Sequence, residues 1–234
     1  VAADKIEVIP NCTDTEFIRP MEKANAFALA NGLADKFTVL YAGNVGLSQG
    51  LEVILDAAEQ LKDCGEIVFV IVGEGGCRDE LIAETKRRGL QNLKLLPFQP
   101  ESDVPMVYAA CDVALIPLKA GITENSVPCK TYSIMAAAKP YIAGVDAGST
   151  VWKLTDQVGC GVCVEPENGR ALAEAVLRLQ NDEQARQAMG QNGRQFVERN
   201  FARETITDRY RASLESLVAK RSLPITGRVS LSGE

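Results

Sequence analysis

No histidine occurs anywhere in the 234 residues. Histidine is the side chain that most often moves protons near neutral pH, so any acid–base work falls to carboxylates, lysines or thiols. Basic residues are also short: 25 Lys and Arg stand against 31 Asp and Glu, a formal net charge of −6. That balance excludes nucleic-acid binding through a broad basic surface, and an anionic ligand has to be met by local donors. Long apolar runs are missing as well, the longest being about 5–8 residues against the roughly 20 that span a membrane.

A metal-ligand pattern is lacking too. Cys160-Gly-Val-Cys163 is a CxxC, but neither a second CxxC nor a histidine completes a zinc site, so it reads as a turn and short strand. Seven cysteines are scattered through the chain, an odd number, with Cys111 and Cys163 in apolar segments. They read as reduced thiols of a cytoplasmic protein rather than as a disulfide frame. The opening "VAADKIEVIPN" has no initiator methionine, and the sequence is expected to be part of a longer chain.

What is present is the mix of an ordinary globular protein, 46% apolar and 24% charged, long enough for a full core. Short apolar runs predict strands at 37–42, 67–73, 93–96, 113–116, 141–144 and 161–164. The first two, "FTVLYA" and "IVFVIVG", are continuous rather than alternating, as in strands buried on both faces. Helical spacing lies between them, on Leu51, Ile54, Ala58 and Leu61. It recurs over 78–88 (closed by Gly89), 104–110, 129–138, 151–157 and 170–179, and then to about Lys220. The alternation implies an α/β fold: a doubly wound parallel sheet of about six strands with helices on both faces. Residues 1–36 read as an interdomain linker, 37–220 as the Rossmann-like domain and 221–234 as a flexible tail. Ligands of such sheets sit outside the carboxyl ends of the strands, near the topological switch point.

Two segments there carry the chemistry. "AGNVGLSQGLE" joins a predicted strand to a predicted helix, with glycines at 43, 46 and 50. Glycines let backbone approach a ligand and expose amides at a helix start. The spacing is neither a Walker loop nor GxGxxG, and a tight turn needing positive φ explains it equally well. In "AGITENSVPCKTYSIMAAAKPYIAG", Lys130 falls in a first helical turn, where a cation opposes the helix dipole unless an anion shares the site. Lys130 and neighbouring amides could clamp a diphosphate; otherwise the lysine simply points to water. Trp152 reads as packing, Asp146–Ser149 as a turn and N-cap, and the mixed charges of 186–211 as a solvated face.

With "IEVIPNCTDTEFIRP", "FVIVGEGGCRDELIAE", "LKLLPFQPESDVPMVYAACDVALIPL" and "VGCGVCVEPENGRALAEAVLRL" in order, the sequence resembles the nucleotide-binding half of GT-B, family 4 type retaining glycosyltransferases. The wording of "GNVGLSQGLE" and "VPCKTYSIMAAAKP" is most similar to transferases of deoxy-amino sugars such as N-acetylfucosamine in capsule or O-antigen assembly. The resemblance implies a nucleotide diphosphate sugar donor, taken as a UDP-sugar, with no metal and no other cofactor. It implies donor contacts from Gly43, Asn44, Gly46 and Gln49, from Phe98 and Gln99 beside the base, and from the 120–133 segment. The partners it implies are an N-terminal GT-B domain, a lipid-linked or saccharide acceptor and no nucleic acid. The expected location is cytoplasmic, at most peripheral to the inner face of the membrane.

The sequence departs from that family in two places. Asn44 and Gln49 stand where many relatives carry basic residues, which leaves Lys130 as the main candidate cation. Two glutamates eight residues apart are replaced by Asn125 and Ser133, with Glu124 one residue off, in reach of the donor sugar if the loop shifts. Lys130 and Glu124 are the catalytic candidates. A nucleotide-sugar epimerase of the same architecture and a nucleotide-binding module without catalysis remain as alternatives.

Overall fold

The computed structural model describes residues 5–122 and 127–221. Its strands are β1 (Phe37–Ala42), β2 (Ile67–Val72), β3 (Leu93–Leu96), β4 (Val113–Pro117), β5 (Tyr141–Gly144) and β6 (Gly161–Val164). Every pairing is parallel, and the order across the sheet is β3-β2-β1-β4-β5-β6. The helices are α1 (Ala26–Ala30), α2 (Glu52–Gln60), α3 (Arg78–Arg88), α4 (Val104–Ala109) and α5 (Cys129–Ala136). They continue with α6 (Thr150–Val158), α7 (Gly169–Gln180), α8 (Glu183–Asn200) and α9 (Arg203–Arg221).

Strand alternation divides the core into two layers. Val39, Tyr41, Phe69, Ile71, Leu115 and Ile142 face α2, α3 and α7. Leu40, Val70, Val72, Ile116 and Ala143 face α4, α5, α6 and α8. All six residues of β2 are buried, which is why its sequence does not alternate. Helix α3 stops where Gly89 adopts φ 67°, and its amide returns to the carbonyls of Thr85 and Lys86.

The segment expected to be a linker is partly built into this core. Ile18, Phe27, Ala28 and Leu33 are buried in the second layer, and Asn25 caps α1, a helix too short to show periodicity. The charged stretch 186–211 also does more than face water. Arg194 Nη1 donates to the carbonyls of Thr15 (3.1 Å), Ile18 (2.9 Å) and Ala136 (2.6 Å). Its guanidinium also pairs with Glu198 at 2.6 Å. Arg186 lies 5.1 Å from the Phe37 ring and donates to Gln180 O. A parallel bridge joins Thr13 to Ala202, with Thr13 N donating to Phe201 O at 2.9 Å. No helix among the described residues is long and apolar enough to cross a membrane.

Candidate functional site

Strand order reverses between β1 and β4, so the loops leaving them diverge and open a crevice at the carboxyl edge. The wall after β1 is made of backbone. Gly43 N donates to Val72 O (2.9 Å), Val45 N to Glu74 O (2.8 Å) and Cys77 N to Val45 O (3.0 Å). Gly43, Gly73 and Gly75 have φ of 143°, 154° and 153°. A Cβ on Gly73 would lie 1.9 Å from Gly43 O, and one on Gly75 2.3 Å from Val45 O. Only glycine permits the two loops to lie so close.

The N–H of Gly43, like that of Val45, is consumed inside the fold, so Gly43 can offer a ligand close approach and not its amide. The amides of Asn44, Gly46, Leu47 and Ser48 have no backbone acceptor among the described residues. Gly46 has an ordinary negative φ of −119°, and the side-chain amide of Asn44 would lie 2.7 Å from a Cβ there. Leu47–Gln49 form a single 3-10 turn, and Gly50, at φ 57°, hands the chain to α2.

Lys130 closes the crevice from the β4 side. It stands in the first turn of α5, with Nζ 3.8 Å from the centroid of the Tyr41 ring. A Cβ on Gly43 would come within 2.8 Å of the same Nζ. The side chain is thus folded over the glycine turn instead of reaching for water. Burial lowers its pKa from 10.5 to about 7. No carboxylate pairs with it among the described residues. Ser133 follows one helical turn later on the same face of α5, part-buried.

Tyr41 is fully buried beneath this lysine. Its hydroxyl donates to Asn44 O at 2.6 Å and lies 3.3 Å from Gln49 Oε1. Gln49 Nε2 in turn reaches Ser48 Oγ at 3.2 Å. Burial raises the Tyr41 pKa, with a smaller contribution from Tyr108, so the phenol stays a donor. Beside Gly43 opens a cavity of about 160 Å³, lined by Phe98, Gln99, Val104, Val107 and Tyr108. Phe98 is 66% exposed at its rim, and Gln99 Nε2 donates to Pro97 O at 2.8 Å.

The loop after β4 is braced by side chains. Glu167 Oε2 accepts from Ala120 N (3.1 Å) and Asp146 Oδ2 from Gly121 N (2.9 Å). One backbone bond, Lys119 N to Ser48 O at 3.1 Å, ties it to the glycine turn. Glu167 holds this position at φ 55°, a left-handed conformation uncommon for a residue with a side chain. Glu124 and Asn125 lie outside the described residues. Ser149 is the N-cap read from sequence, accepting from Trp152 N at 3.3 Å, and Trp152 packs partly buried against the core. Cys160 is buried with Sγ 3.3 Å from the Tyr141 hydroxyl, and all seven cysteines are free thiols.

The structure therefore brings Gly43, Asn44, Gly46, Gln49, Phe98, Gln99, Lys130 and Ser133 to one edge of the sheet. Sequence reasoning missed Tyr41, which reads as one more buried strand residue, and the bracing carboxylates of Asp146 and Glu167, whose partners are remote in sequence.

Comparison with known proteins gives a consistent picture. WcaI of Escherichia coli (strain K12), named as a colanic acid biosynthesis glycosyl transferase, is 30% identical over 210 residues. The match covers 88% of this chain and 49% of WcaI, so the chain spans about half the length of that curated relative. The crystal structure of Anabaena Alr3699/HepE in complex with UDP and glucose superposes with a TM-score of 0.80 at 22% identity, covering 92% of this chain and 58% of that one. A crystal structure of the C-terminal domain of LpcC, a glycosyl transferase group 1 family protein from Francisella tularensis, matches with a TM-score of 0.67 at 22% identity. That match covers 82% of this chain and 99% of that one. Residues 4–196 match the sequence profile of "Glycosyl transferases group 1", and the chain belongs to that family.

Proposed function

We propose that this chain is the donor-binding half of a retaining glycosyltransferase that moves a sugar from a UDP-sugar to a polysaccharide or lipid-linked acceptor. The observation that carries the proposal is the Lys130 ammonium, held against a glycine turn at the switch point without a carboxylate partner among the described residues. A buried cation without a counterion is costly, and an anionic ligand relieves that cost. A diphosphate seated there meets the ammonium on one side and the amides of Asn44, Gly46, Leu47 and Ser48 on the other. The adjoining apolar cavity at Phe98 and Gln99 suits a base, and Ser133 is assigned a hydroxyl contact with ribose. The UDP and glucose named in the HepE structure, and the colanic acid biosynthesis in the name of WcaI, support the same substrate class.

Chemically, transfer with retention asks the protein to hold the donor and stabilise charge on the departing diphosphate. Fixed donors in a dry crevice do this without reorganising as the bond breaks. No metal is required by this arrangement, since Lys130 and the amides take its electrostatic role. Glu124 is proposed to reach the donor sugar. The acceptor site and any base belong to an N-terminal half, and the whole enzyme is placed in the cytoplasm, peripheral to the inner face of the membrane. A deoxy-amino sugar of the N-acetylfucosamine type is the proposed cargo, in capsule or O-antigen assembly.

Calorimetric titration of the chain with UDP, GDP and NAD, alongside a donor-hydrolysis assay, tests the reading. The expected result is weak binding that favours UDP, a further weakening of that binding by about 10–100-fold in Lys130→Met, and no sugar transfer by this chain alone. Preference for NAD, or no binding to any of the three, overturns it. Hydrolysis of UDP-sugar without acceptor points instead to an epimerase.

A further inference from the structure

We propose that Tyr41 is a positioning residue for diphosphate recognition, seating the Lys130 ammonium with its ring and setting the 43–50 turn with its hydroxyl. The inference rests on the donor-site reading above and adds a residue to it.

Tyr41 and Lys130 come from opposite sides of the sheet. Tyr41 lies in the layer facing α2, whereas α5, which carries Lys130, packs on the other layer. They meet only across Gly43, where a Cβ would stand 2.8 Å from Lys130 Nζ and 3.7 Å from the Tyr41 hydroxyl. The ring face attracts the ammonium at 3.8 Å without neutralising it, as a carboxylate would. The charge of the protonated amine is thereby left for an anion to pair with. The hydroxyl accomplishes something separate. By donating to Asn44 O at 2.6 Å it draws that carbonyl into the protein. A carbonyl oxygen turned the other way would face the incoming phosphate and repel it. Phenylalanine could supply the first contact and not the second; leucine supplies neither.

The experiment compares Tyr41→Phe and Tyr41→Leu, each alone and combined with Lys130→Met, using UDP as the probe. Lysine labelled with carbon-13 reports the ε-methylene of Lys130, which the ring current shifts upfield, and amide exchange reports residues 44–48. Tyr41→Phe should keep the upfield signal, speed exchange in the turn and weaken UDP binding about 3–10-fold, the size of one lost hydrogen bond. Tyr41→Leu should lose the upfield signal as well, and its additional loss of affinity should vanish when Lys130 is already Met. An unshifted ε-methylene in the wild type, unchanged turn exchange in Tyr41→Phe, or an equal effect of Tyr41→Leu in both backgrounds overturns the role. Wild-type protein that takes no UDP overturns the donor reading itself, a failure distinct from wild-type binding that Tyr41 does not influence. Should Tyr41→Leu fail to fold, the near-isosteric Tyr41→Phe still decides the hydroxyl contact.

Discussion

The two walls of the crevice are built by different means. After β1, loop 43–46 is fastened to loop 73–77 by main-chain hydrogen bonds at 2.8–3.0 Å, with glycines where any side chain would collide. After β4, the loop at 119–121 is fastened chiefly by two carboxylates from other loops, Glu167 and Asp146. Backbone bonding fixes geometry at the cost of tolerance, because no substitution can be absorbed by a rotamer change. Side-chain bracing leaves geometry adjustable. Under the proposed donor reading, the first kind would suit a wall that meets the invariant diphosphate and the second a wall that meets a variable sugar.

The sharpest way to break this contrast is Gly73→Ala. A Cβ 1.9 Å from a backbone carbonyl cannot be relieved without parting the loops. A loss of about 3 kcal/mol or more in urea unfolding is expected, the range of severe backbone and overpacking changes. A mild effect would mean the glycine wall yields after all. Next comes Lys130→Met, which should weaken UDP binding about 10–100-fold, as removal of a charge-assisted contact does.

The same variant should be more stable than wild type without ligand, with a definite pH dependence. The folded pKa of Lys130, about 7, lies below its ordinary 10.5, so the unfolded chain holds more protons between those values. The stability that wild type loses through this group is therefore largest below pH 7 and recovers as pH rises towards 10. An advantage for Lys130→Met of about 1–3 kcal/mol near pH 6, shrinking by pH 10, is the expected outcome of paired urea titrations. Taking the difference matters, because the thiols of Cys111 and Cys163 are pushed up to about 12 and about 11 by burial. They lower stability in both proteins once unfolded thiols ionise.

The smallest effect is expected on the adjustable wall. Glu167→Gly removes the brace on Ala120 N but supplies a residue at ease with φ 55°. Overall stability should be unchanged within error, while amide exchange at Ala120 and Gly121 quickens. A large stability loss would place this loop in the same class as the glycine wall.

The same division separates what was legible in the sequence from what was not. Strand positions were readable because a strand buried on both faces leaves a dense apolar run, and Gly89 marked the end of α3 through its left-handed φ. The crevice residues were nameable because loops at the carboxyl edge of a parallel sheet have little else to do. The occupied amides of Gly43 and Val45 were not readable, since a glycine spacing says nothing about which neighbour consumes its N–H. Tyr41 was hidden for a different reason: it lies in a buried apolar strand, and only its hydroxyl and one ring face meet the crevice loops. Arg194 looked solvated in a charged helix because its three carbonyl partners lie 58 to 179 positions away.

That arginine has a temporal consequence. It gathers Thr15, Ile18 and Ala136 around one guanidinium, while Thr13 is bridged to Ala202 nearby. Contacts of such long range close large loops and form slowly. Arg194 and Ala202 both follow every strand of the sheet in the chain, so the sheet can assemble before that belt closes.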